Sequence, residues 1–177
     1  MTARATMATL IARVRRLIHD PSGVEEVWTD EEIQEWLDAH RLDVAMLPLE
    51  PIWSIVGGAV MTLDYIAPYG HWEADALLSD AAGAELTPAS ADLLVGRWTF
   101  AAHTPQVYLT GKSYDPYAAA ADALEARAAQ VALAYDFSAD GASFQRSQQG
   151  EALLRLARQY RGRSRPIVVR LAREDTR

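Results

Sequence analysis

Pro48, Pro51, Gly57, Gly58, Pro68, Gly70, Gly83, Pro88, Gly96, Pro105 and Gly111 break the middle of the chain into short runs. Proline removes a backbone donor and glycine favours turns, so no long helix passes through this stretch. The runs between these residues have strand character: Val44–Leu47, Ala59–Ile66, Trp72–Leu78, Arg97–Ala101 and Gln106–Thr110. Residues 60–66 alternate in part and residues 97–100 clearly, the period of a half-buried strand. About 70 residues of mostly antiparallel β structure are expected.

Helical periodicity flanks this region on both sides. Met7, Ile11, Val14 and Ile18 recur at i, i+4, i+7 and i+11, which predicts a helix from Thr6 to His19 ended by Pro21-Ser22-Gly23. Thr29 with Glu32 three residues on is a capping box, and Trp28 is placed to staple onto Ile33. That second helix runs to about His40. Asp115-Pro116 is favoured start chemistry for a third, with Tyr117, Ala121, Leu124, Ala128, Val131 and Tyr135 along one seam. A polar turn around Asp140-Gly141 follows, then a fourth helix capped by Ser143, with Leu153, Leu154, Ala157 and Tyr160 on its apolar side. The expected fold is α+β: a four-helix bundle (residues 1–42 and 114–162), a β-rich insertion between helices 2 and 3 (43–113), and an extended C-terminal arm (163–177).

Charge and composition narrow the functional classes. The net charge of −7 divides into +3 over residues 1–20, −14 over 21–160 and +4 over 161–177. An acidic body with basic ends lacks the cationic face that nucleic-acid binding requires. It suits an acidic partner surface, a second copy included. There is no cysteine, which excludes disulfides and thiolate chemistry and fits a cytosolic setting. No apolar run approaches the ~20 residues of a membrane span, and Arg13, Arg15 and Arg16 interrupt any signal-peptide core.

Motifs for catalysis are absent from the sequence. His19, His40, His71 and His103 stand at no metal-ligand spacing, and no HExxH, P-loop, GxGxxG or GxSxG occurs. Asp64, Glu73 and Asp75 are expected on a solvated strand face. Trp36 and Trp98 fit buried positions, which disfavours a carbohydrate platform built from Trp28, Trp36, Trp53, Trp72 and Trp98. No catalytic, cofactor-binding or metal-binding residue is assigned, and the expected class is non-enzymatic.

The two helical halves together carry a resemblance. "LIARVRRLIHD", "VWTDEEIQEWLDAHRLDV" and, above all, "YDPYAAAADALEARAAQVALAYDFSADGASFQRSQQGEALLRLARQYRGRSR" resemble the head–tail adaptor (connector, head-completion) proteins of tailed bacteriophages, prophages and gene-transfer particles. The similarity covers roughly residues 8–44 and 114–165, and the insertion of about 70 residues departs from simpler members. It implies a structural virion protein of the particle neck, assembled in the host cytoplasm. Such a protein forms a ring of about twelve copies beneath the portal. It bridges the portal to a stopper, tail-terminator or other tail protein, and lines the channel through which DNA passes without sequence-specific binding. Phe144, Gln145, Arg146 and Gln148 are then candidates for contact with a neighbouring subunit. Ile167, Val168, Val169 and Leu171 form a strand-prone tail that can add to another protein's sheet edge. With Arg163, Arg165, Arg170 and Arg173 they are candidates for a portal-binding arm. The alternative class is an accessory module that binds carbohydrate or protein through the β insertion and its Trp residues.

Overall fold

The computed structural model describes residues 2–23, 26–102, 105–132, 137–139, 142–144 and 146–165. A single 3-10 turn, Ala5–Met7, leads into α1 (Ala8–Ile18), followed by α2 (Asp30–Ala39). Seven strands come next: β1 (Arg41–Pro48), β2 (Glu50–Val56), β3 (Ala59–Ile66), β4 (Leu77–Ser79), β5 (Ser90–Asp92), β6 (Arg97–Thr99) and β7 (Tyr108–Tyr114). The chain continues through α3 (Pro116–Ala132), a hairpin of β8 (Phe137–Ala139) and β9 (Ala142–Phe144), and α4 (Arg146–Arg161). The strands form two antiparallel sheets, of order β1-β7-β4 and β2-β3-β6-β5, with β8-β9 as a separate pair. No helix among the described residues is long and apolar enough to cross a membrane.

Local chemistry explains the helix ends. Thr29 Oγ1 accepts from the Glu32 amide at 3.3 Å, and Glu32 Oε2 accepts from the Thr29 amide at 2.8 Å, so the capping box is complete. Trp28 is buried and stands edge-on to Trp36, ring centroids 4.9 Å apart. Asp115 Oδ1 accepts from the amides of Tyr117 and Ala118 at 3.0 and 3.1 Å, capping α3 as its Asp-Pro start implies.

The four-helix bundle with an inserted β region is not the architecture. Strands separate α2 from α3 and α3 from α4, and among the described residues the fold is α+β, with four helices, two antiparallel sheets and the β8-β9 pair. Two features explain the difference. First, helices and strands join without linkers: His40 alone lies between α2 and β1, Asp115 alone between β7 and α3, and Arg41 pairs with Tyr114 across the junction. Tyr114 at the end of β7 belongs to the same apolar cluster as the helices. Second, α3 is not one corner of a bundle. Ala118, Ala119, Ala120, Ala121, Ala123, Leu124 and Ala128 are all buried, which leaves the first half of the helix almost no solvent face. A helix apolar nearly all round is a central element. The other three share its cluster through Leu10, Val14 and Ile18 of α1, Ile33 and Leu37 of α2, and Ala157 and Tyr160 of α4.

The strand pattern also differs in detail. β2 was not expected, and β7 continues through Gly111 to Tyr114 instead of stopping before it. A Cβ at Gly111 would lie 3.0 Å from that of Ala76, so this glycine serves close packing and not a turn. Trp72 forms only an isolated bridge to Ser113, and β4 starts at Leu77. Ser143 lies in β9, and α4 begins at Arg146. A second apolar cluster fills the sheet region around Leu49, Tyr65, Trp72, Leu78, Trp98, Phe100, Val107 and Leu109.

Candidate interaction surface

The most unusual surface is the β2–β3 ribbon. From Pro51 to Leu63 the chain carries no charged residue. Ile55 pairs with Val60, and Trp53 with Thr62, with a bulge between Ile52 and Trp53. Residues two apart on a strand share a face. Trp53 and Ile55 therefore lie on one side of the ribbon together with Val60. Their relative exposures are 66% for Trp53, 77% for Ile55 and 62% for Val60. On the inner side of β3, β6 pairs only with Asp64, Tyr65 and Ile66. Phe100 N also donates to the Leu63 carbonyl at 2.8 Å, and nearer the tip β2 and β3 pair only with each other among the named strands of the described residues. Its turn, Gly57-Gly58, has φ of 60° and 86°, the left-handed conformation of a tight hairpin turn. A Cβ at either glycine would meet nothing within 4 Å, so the tip stands clear of the body.

A free sheet edge is ordinarily guarded by Lys or other charges, or shortened. Along β2 the bulge and Pro51 are present, and a cation is not. Of the five tryptophans, Trp28, Trp72 and Trp98 are buried and Trp36 is partly buried; Trp53 is the exposed one.

Polar side chains are elsewhere engaged in structure. Glu73 is fully buried and not on a solvated face. Its Oε1 accepts from Thr6 Oγ1 at 2.5 Å and Arg4 Nε at 3.1 Å, and its Oε2 from Tyr114 OH at 2.6 Å. Lys112 Nζ lies 3.5 Å away and also bonds Asp75. Burial pushes the Glu73 carboxyl up, but the hydrogen bonds from Thr6 and Tyr114 and the charge of Arg4 outweigh it and hold it below the usual carboxylate range. Asp64 is apart from this group, bonded to Thr99 at 2.5 Å and Arg97 at 3.0 Å. Hydrogen bonds from Thr99 and Arg97 lower its pKa. Burial and the nearby Arg165 and Arg13 charges depress His71, while His40 Nε2 sits 2.6 Å from Asp122. His103 lies outside the described residues. Among the described residues no three His, Asp or Glu side chains converge as a metal site.

The residues singled out from the sequence are distributed as follows. Arg163 is exposed just past α4. Arg165 is held: its amide donates to Asp115 Oδ2 at 2.5 Å, its guanidinium to the Tyr114 carbonyl, and it stacks over Tyr69 at 5.5 Å. Ile167, Val168, Val169, Arg170, Leu171 and Arg173 lie outside the described residues, as does Gln145. Phe144 pairs in register with Phe137, Arg146 opens α4, and Gln148 is exposed on it. The ribbon itself was missed. Its only sequence signal is the charge-free run Pro51–Leu63, because exposure of an apolar strand face is invisible in a period of two.

Fold and surface define an α+β protein with an alanine-walled helical centre and an apolar projecting hairpin. Comparison with protein-family models, curated proteins and solved structures finds no match to this chain.

Proposed function

We propose that the chain is a structural assembly protein: a head–tail adaptor of a tailed phage or phage-like particle. In this reading it forms a ring under the portal, joins the portal to a stopper or tail protein, and leaves the channel open to DNA. The observation that carries the assembly part is the exposed face of Trp53, Ile55 and Val60 on a charge-free ribbon. Contiguous exposed apolar groups of this kind mark protein contact surfaces. Burying those three side chains would contribute on the order of 4 kcal/mol, discounted for what is already covered. That alone is a weak contact, and repetition around a ring turns weak contacts into firm attachment. The neck as the particular setting rests on the resemblance of the helical segments.

The test uses the purified chain and portal rings, imaged by negative-stain microscopy and weighed by native mass spectrometry. The expected result is a ring of the chain seated on the portal, and DNA-filled heads without tails when the gene is deleted. Normally tailed particles lacking the chain would overturn the reading. The second reading is an accessory module that binds glycan or protein through Trp53. It expects a Trp53-dependent fluorescence change on adding glycan to a monomer.

A further inference from the structure

Two faces of this molecule complement each other in charge without meeting inside it. From Thr29 to Ala39 the chain has five acids and no base. Asp30 is bonded to Arg15, Glu32 to the Thr29 cap and Asp38 to Arg4. Glu31 and Glu35, one turn apart on α2, make no ion pair among the described residues. From Ala152 to Arg165 the chain has five arginines and no acid. Arg161 is bonded to Asp122 and Glu125, and the Arg165 guanidinium donates to the Tyr114 carbonyl. Arg155 and Arg158 are exposed on α4 and make no ion pair among the described residues; Glu151 lies one turn before them.

An exposed aliphatic side chain stands near each face: Val27 in the bend before the Thr29 cap of α2, and Leu154 one turn before Arg158 on α4. The spacings agree. Glu31 and Glu35 are about 6 Å apart along their helix axis, and Arg155 and Arg158 about 4.5 Å. Long side chains close that difference.

We propose that α4 of one copy docks on α2 of the next, with Arg155 and Arg158 facing Glu31 and Glu35, and Leu154 beside Val27. Like charges disfavour α2 against α2 and α4 against α4, so the contact joins unlike faces, α2 of one copy to α4 of another. Made once between each pair of copies, it leaves one free face of each sign and closes into a ring or extends as a filament; made twice between the same two copies, it closes a two-fold dimer, which the sedimented mass distinguishes. The charges set partner and register more than strength, and the aliphatic pair excludes water between them. This seam deepens the assembly reading above, and it rests on that reading only for its biological setting.

Charge exchange in the full chain tests it. Sedimentation velocity at low and physiological salt compares the parent with E31R/E35R and with R155E/R158E. Glu35, Arg155 and Arg158 are exposed and Glu31 is half-buried, and matching circular dichroism and melting curves establish that each variant folds. Each variant alone is expected to lose the higher-mass species. Mixing the two restores it, because the reversed α2 of one meets the reversed α4 of the other. A parent that stays monomeric, a variant that assembles like the parent, or a mixture that does not recover overturns the seam. The two readings fail separately. Variants that still form portal-bound rings refute the seam and leave the adaptor standing. A salt-sensitive, rescuable assembly that ignores portal does the reverse.

Discussion

Glu73 ties three parts of the chain to one carboxylate. Arg4 and Thr6 come from the N-terminal segment, Tyr114 from the β7–α3 junction and Lys112 from the middle of the sheet. Removing it leaves a buried Tyr hydroxyl and an arginine short of partners. Glu73→Ala is therefore expected to cost about 3–5 kcal/mol in urea unfolding at pH 7. Its pKa in the folded chain is lowered from the ordinary 4.5. The stability it contributes is thus present above that ordinary value and lost as pH falls through the lowered one. The difference between parent and Glu73→Gln should shrink on going from pH 7 to strong acid. Nothing in the local sequence indicates this role. "HWEADALL" reads as a strand with an outward acid, and the hydrogen-bonding partners Tyr114, Thr6 and Arg4 lie 41, 67 and 69 residues away.

At the scale of elements, short-range chemistry was legible and long-range packing was not. Thr29 and Glu32 announce α2, and Asp115-Pro116 announces α3, because a cap is written within four residues. Thr29→Ala should lower stability by about 1 kcal/mol, read from the urea midpoint at unchanged m-value, since it frees one amide at the helix start. By contrast, β2 begins Glu50-Pro51, and its proline argued against a strand. It is tolerated because β2 is the sheet edge, where an amide facing away from β3 has no strand to serve. Gly111 carried the signal of a turn and proved to be a point of close approach. The alanine run of α3 fitted a narrow seam equally well as full enclosure. Only the arrangement of three other helices and Tyr114 around it decides between them.

For the whole molecule, the division of labour is between an enclosed centre and an exposed ribbon. Trp53 makes little contact with the body, so Trp53→Ala should change stability by less than about 0.5 kcal/mol. If the ribbon is the contact with a stopper or tail protein, the same change should weaken that binding about tenfold, measured by calorimetry. A large drop in melting temperature instead would show that the ribbon is held as part of the core. The α+β division into flanking helices and a strand-rich middle could be read from period alone. The junctions that weld them into one body, His40–Arg41 and Tyr114–Pro116, could not, because they depend on strand pairing 73 residues apart between Arg41 and Tyr114.

Alanine has no rotatable side chain, and this has a mechanical result at α3. From Ala118 to Ala121 its walls are methyl groups pressed against neighbouring helices, with no rotamer to swing aside when a force arrives. A tug on the hairpin tip or a push on either charged flank finds no side-chain give in these alanines themselves; give at the helical centre comes from the Leu, Ile and Val side chains that surround them.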